Sequence, residues 1–133
     1  MVQVEIRGKQ FPLCLTVAAL DEVNGKCGGL SGIPKFLDGN ENGKSDSSRA
    51  ICNTAWMLAL LIQEGEENRL IMARFDGEQA ERRDVPDEET VRHLLTMSSA
   101  RKYRAAVYEA VTESMTQEIE ALYPKNGESA GRE

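Results

Sequence analysis

The stretch Asp38-Gly39-Asn40-Glu41-Asn42-Gly43 opens like an EF-hand calcium loop, with side-chain oxygens at loop positions 1, 3 and 5 and glycine at 6. Asp46 fits position 9. Position 12 needs a bidentate carboxylate to complete the cation's shell, and Arg49 stands there, with its own positive charge where the cation belongs. Read without that ligand, the segment is an Asn/Gly-rich turn, with a small metal-binding module as the alternative. Gly39 to Ser45 also approaches a phosphate-cradling loop. However, it has one residue too few between its glycines, Asp38 stands where the first glycine is required, and no apolar strand leads in.

Other reactive side chains do not assemble into a set. His93 is the sole histidine, which excludes a histidine pair within one chain. Ser31 lies in Gly28-Gly29-Leu30-Ser31-Gly32, but Ile33 takes the second glycine position of a nucleophile elbow. Cys14, Cys27 and Cys52 have no CxxC spacing and sit in apolar patterns, as buried free thiols of a reducing compartment do. Glu66/Glu67 and Asp87/Glu88/Glu89 fall in polar runs, where ionised, solvated carboxylates are expected rather than a tuned acid/base pair. No catalytic set, cofactor site or metal site follows from these residues, and no enzymatic activity is expected.

The elements that would position a site are mostly helical. Val2, Val4 and Ile6 alternate with polar residues, Arg7 to Gln10 turns the chain, and Phe11, Leu13 and Leu15 resume the alternation, a β-hairpin over residues 2–16. Pro12 pushes its strand toward an edge or bulge. A two-stranded hairpin is marginal alone, so it must lie on the helices, pair with another copy's hairpin, or do both. Thr16 can cap a short helix carrying Leu20, Val23 and Cys27, which Gly28-Gly29 ends, and Ile33, Phe36 and Leu37 suggest a further helical turn. Asp38 to Ser48 is a surface loop. A helix then runs from Ser47 or Ser48 to about Glu64, Gly65 interrupts it, and Glu66 to Phe75 forms another short one. Glu78 to Asp84 is charged and irregular. Pro86 with Asp87, Glu88 and Glu89 starts a helix bearing Val91, Leu94 and Leu95. Ser98-Ser99 marks a break, and the last helix carries Tyr103, Val107, Val111, Met115 and Ile119 to about Leu122. The expected architecture is α+β, mainly α: an N-terminal hairpin and about five helices in one compact domain over residues 1–123, helical from 17, with a disordered tail at 124–133.

Composition narrows the partners. The net charge is -6, with 22 acidic against 16 basic residues, which argues against nucleic acid and anionic membranes. The longest apolar run, Ala55 to Ile62, is too short for a membrane span, and no signal peptide opens the chain, so a cytoplasmic place is expected. That run is apolar on every side, the pattern of a helix either buried all round or meeting a partner. Trp56, Met57 and Leu61 are therefore candidate protein-binding residues as well as candidate core. Tyr103 and Tyr108 are divided in the same way, because one of them must leave the main stripe.

Four segments together resemble the tail assembly chaperones of long-tailed bacteriophages and of prophages in Gram-positive bacteria: Val4-Glu-Ile-Arg-Gly-Lys-Gln-Phe-Pro-Leu13, Thr16-Val-Ala-Ala-Leu-Asp-Glu22, Ala55-Trp-Met-Leu-Ala-Leu-Leu-Ile-Gln-Glu-Gly-Glu-Glu67 and Pro86-Asp-Glu-Glu-Thr-Val91. The resemblance implies a non-enzymatic, self-associating protein that binds the tape measure protein and tail tube protein during tail assembly. A structural tail or head-tail connector protein is the alternative of the same origin.

Overall fold

The computed structural model describes residues 1–122, with side chains through Thr116. The tail expected over 124–133 and the side chain of Ile119 lie outside the described residues. The fold is α+β and mainly helical, an N-terminal antiparallel hairpin followed by five helices. Strand β1 (Gln3–Ile6) pairs with β2 (Lys9–Pro12), Ile6 opposite Lys9 and Gln3 opposite Pro12. Their turn is only Arg7-Gly8, both at positive φ, the two-residue connection whose twist suits a hairpin. It is tighter than the four-residue turn expected, and the strands end at Pro12 rather than running on to Leu15.

A 3₁₀ turn (Val17–Ala19) leads into α1 (Leu20–Cys27), which Gly28 ends in a left-handed cap; a second 3₁₀ turn (Leu30–Gly32) leads into α2 (Ile33–Leu37). Thr16 precedes the first of these, yet its hydroxyl makes no capping bond and donates to the Glu64 carboxylate instead. The expected loop after Asp38 contains a miniature hairpin, β3 (Asn40–Glu41) and β4 (Lys44–Ser45), turning on Asn42-Gly43.

Helix α3 (Ser47–Phe75) is one unbroken helix of 29 residues, a correction to the break expected at Gly65. A glycine in a helix costs only about 1 kcal/mol relative to alanine, and here packing requires it. The chain leaving β2 crosses α3 at this level: Cys14 N–H donates to the Leu61 carbonyl at 3.2 Å, and the Pro12 carbonyl fills the space a Gly65 Cβ would need. Gly65 is the contact between hairpin and central helix, not a stop.

The apolar run is the hub of the core. Ala55, Met57, Leu58, Ala59, Leu60, Leu61 and Ile62 are all buried. Around them pack Val4, Ile6, Phe11 and Leu13 of the hairpin segment, Val23 of α1, Ile33 and Leu37 of α2, and Val107 and Val111 of the last helix. Helix α4 (Glu88–Leu94) adds Val91. Asp87 is its cap, the carboxylate accepting Thr90 N–H at 2.8 Å, so Pro86 precedes the cap and the first helical residue is Glu88. Helix α5 (Met97–Leu122) starts before Ser98-Ser99, the break falling at Leu95-Thr96, where Thr96 and Ser99 bond reciprocally. Spacing of four residues drifts about 40° per step around a helix, so the α5 stripe leaves the core by Met115, which is exposed.

The hairpin lies on the helices. At the facing pair Glu5 and Gln10, both carbonyls are taken from outside the hairpin: Tyr103 Oη donates to Glu5 O at 3.1 Å and Arg83 Nη1 to Gln10 O at 3.2 Å. The free edge that would have invited another copy's strand is occupied there by this chain's own side chains. Among the described residues, no helix is long and apolar enough to cross a membrane.

Candidate protein-binding surface

The Asp38–Asp46 loop is organised around an arginine. Arg49 Nη1 donates to Gly39 O at 3.1 Å, and its Nε lies 3.4 Å from the Glu41 carboxylate. Asp46 is the cap of α3, accepting Arg49 N–H at 2.9 Å, and Asp38 pairs with Arg104 of α5. Of the oxygens that resembled calcium ligands, those of Asp38 thus hold a guanidinium group and those of Asp46 a helix end. Among the described residues, no three His, Cys, Asp or Glu side chains are grouped to hold a metal. Burial pushes the Cys27 thiol up to about 11 and also raises Cys14, which the nearby Glu64 and Glu113 carboxylates raise further; both thiols are held away from the reactive thiolate form. His93 is exposed on α4, its Nδ1 2.9 Å from Glu89 O.

The five residues marked for partner binding fall in separate places. Met57 and Leu61 are buried in the core and offer no surface, a correction with a simple cause: hairpin and helices pack over the side of α3 that carries them. Trp56 is half-buried on α3, meeting Phe36 edge to face at 5.6 Å, with Lys26 Nζ 5.7 Å from the ring centre. Tyr103 is half-buried and anchors α5 to the hairpin through Glu5 O. Tyr108, also half-buried, donates to Pro34 O at 3.3 Å and carries Arg104 over its ring. Both tyrosines tie α5 to neighbouring elements.

Among the described residues, the largest exposed apolar group on one element is elsewhere, at the end of α3. Ile71, Met72 and Phe75 are 44%, 52% and 84% exposed. Ile71 and Phe75 are four residues apart and Met72 and Phe75 three, so all three lie along one side of the helix. The chain then returns as an irregular strap, residues 78–87, tied to α3 by Glu78 N–H on Ala73 O at 2.8 Å and by Arg69 on Glu81 O. A groove of about 760 Å³ runs beside Met72, between α3, β2 and the strap, with Pro12, Ala73 and Arg83 in its walls. The expected helix break at Gly65 hid this site. Read as one helix, α3 carries a second apolar group, Leu70, Ile71, Met72 and Phe75, beyond the polar stretch Gln63 to Arg69 and past the level of the buried hub.

At the base of the strap is a buried ion cluster. Glu66, only 1% exposed, takes Arg69 Nε at 3.0 Å and Nη2 at 2.7 Å, Arg83 Nε at 3.2 Å and Arg83 N–H at 2.7 Å. These donors, Arg69 first, outweigh burial and hold the carboxyl down to about 2. The expectation that Glu66 is solvated is corrected: it is charged, but inside. Arg69 Nη2 also reaches Glu81 O at 2.7 Å, Arg82 pairs with Glu67, and Arg83 lies over the Phe11 ring. Compared with known proteins, the chain matches no family, no curated protein and no solved structure.

Proposed function

We propose that this protein is a non-enzymatic assembly chaperone that holds an apolar, helical client on the protruding end of α3. One observation carries the reading: Ile71, Met72 and Phe75 stand exposed on one side of the helix whose middle turns form the buried hub, beside a groove of about 760 Å³. Leaving three large apolar side chains in water costs free energy that a partner recovers. A helix laid against such a stripe is a recurrent recognition mode. The resemblance to phage tail assembly chaperones names the client as a tape measure protein, with tail tube subunits as further partners. The same stripe can also hold copies of the chain together until the client displaces them.

The test is co-expression with a phage tape measure protein, the client that the resemblance implies. Co-purification through moderate salt, with this chain missing from finished particles by mass spectrometry, is the expected result. Clean separation of two folded proteins overturns the proposal, and stoichiometric presence in particles makes the chain a structural component instead.

A further inference from the structure

We infer that the groove beside Met72 receives a carboxylate from the docked protein segment, with Arg69 and Arg83 as its receptors, which rests on reading the end of α3 as the client surface. Two guanidinium groups share the single carboxylate of Glu66. One positive charge is therefore left over in a cluster whose anion is buried, while both arginines line the groove. The bonds within the chain use Nε and Nη2 of Arg69 and Nε and Nη1 of Arg83. Nη1 of Arg69 and Nη2 of Arg83 have no protein acceptor among the described residues, and a guanidinium fork can bind acceptors on two edges at once. A second carboxylate completes a two-to-two cluster in a partly desolvated wall, where charge-assisted bonds are strongest.

The setting selects what carries that carboxylate. Pro12, Met72 and Ala73 form apolar wall, continuous through Met72 with Ile71 and Phe75. Asp76 and Glu78 make the other end of the groove acidic, which repels a polyanion and suits an acid at one position only. The occupant is thus a protein segment with an acidic residue beside an apolar helical stripe.

Fluorescence anisotropy with two labelled synthetic helical peptides tests this, one carrying a leucine stripe flanked by glutamate and one with glutamine in its place. The glutamate peptide is expected to bind about tenfold tighter. Arg83→Gln closes that gap, and Glu66→Gln, which releases both guanidinium groups, widens it. Circular dichroism accompanies each variant, and the wild-type comparison alone decides the matter if a variant does not fold. Equal affinity for the two peptides overturns the carboxylate site and leaves the client surface standing. Binding of neither peptide also overturns it, and the client surface is then judged by the co-purification alone.

Discussion

Gly65 stands so close to Pro12 that a Cβ on it would lie 1.9 Å from the proline's carbonyl oxygen and 2.6 Å from its carbonyl carbon. Both obstacles are backbone, so no side chain can rotate away. By helix propensity alone, Gly65→Ala gains about 1 kcal/mol. The contact reverses the sign: the hairpin must lift from α3, disturbing the Cys14–Leu61 hydrogen bond, for a net loss of about 1–3 kcal/mol. Chemical denaturation measures it, and an equally stable or stabilised Gly65→Ala protein refutes the packing account.

Glu66 makes stability depend on acid. Its carboxyl is lowered from 4.5 to about 2, chiefly by Arg69, so the folded state binds the proton more weakly than the unfolded chain. The stabilisation is complete above about pH 4.5 and is lost as pH falls toward 2, on the order of 3 kcal/mol in all. Glu67 and Asp87 are lowered too, but both are exposed and add little. Glu66→Gln should lower stability at pH 7 by about 3–5 kcal/mol, because it leaves two guanidinium groups without their anion. The variant should also lose most of the slope between pH 4.5 and 2; the same slope in both proteins places the acid sensitivity elsewhere.

What the sequence made legible follows from period and turn chemistry. Val4, Ile6 and Phe11 alternate as a half-buried strand must, and Gly28 ends α1 as a left-handed cap. Asn42-Gly43 is the standard two-residue hairpin signal, hidden by reading its neighbours only as polar loop. Gly65 and Glu66 were opaque for another reason. A glycine that breaks a helix and one that admits a crossing backbone look alike, and so do a solvated glutamate and one that two arginines follow inward. Both depend on contacts between residues distant in sequence: Gly65 meets Pro12, and Glu66 meets Arg83. Met57 and Leu61 stand in a run apolar on every side, a pattern shared by a core helix and a partner surface, and a break at Gly65 sets Ile71, Met72 and Phe75 on a separate short helix.

Leu61 and Trp56 should now separate by burial. Leu61→Ala empties a fully buried site in the hub and should cost about 2–5 kcal/mol. Trp56 is half-buried at the margin of the core, beside the edge of Phe36 and the Lys26 ammonium, so Trp56→Ala should cost less, about 2 kcal/mol. Urea melts rank the two; a larger loss at Trp56 overturns the placement of Leu61 at the centre.

Asp46 separates the cap reading from the calcium reading. As the cap of α3, its loss in Asp46→Ala should cost about 1 kcal/mol. Millimolar calcium should leave the wild-type melting temperature unchanged, because Arg49 already binds Gly39 O and Glu41. A calcium-dependent rise that Asp46→Ala abolishes would falsify this assignment.

Phe75→Asp tests whether the end of α3 works as a surface or is an accident of exposure. The ring is 84% exposed and contributes little to the core, so the substitution should change stability by no more than about 0.5 kcal/mol. The carboxylate introduced there is incompatible with an apolar partner, because docking would bury it without a counter-ion. Capture of the tape measure protein on co-expression should therefore fall at least about tenfold while circular dichroism and the denaturation midpoint stay as in wild type. A control at exposed Val17, in the 3₁₀ turn before α1 and outside the groove lining, should leave capture intact as Val17→Asp. Undiminished capture by Phe75→Asp moves the client surface off this helix end, and collapse of the fold instead shows the ring to be structural.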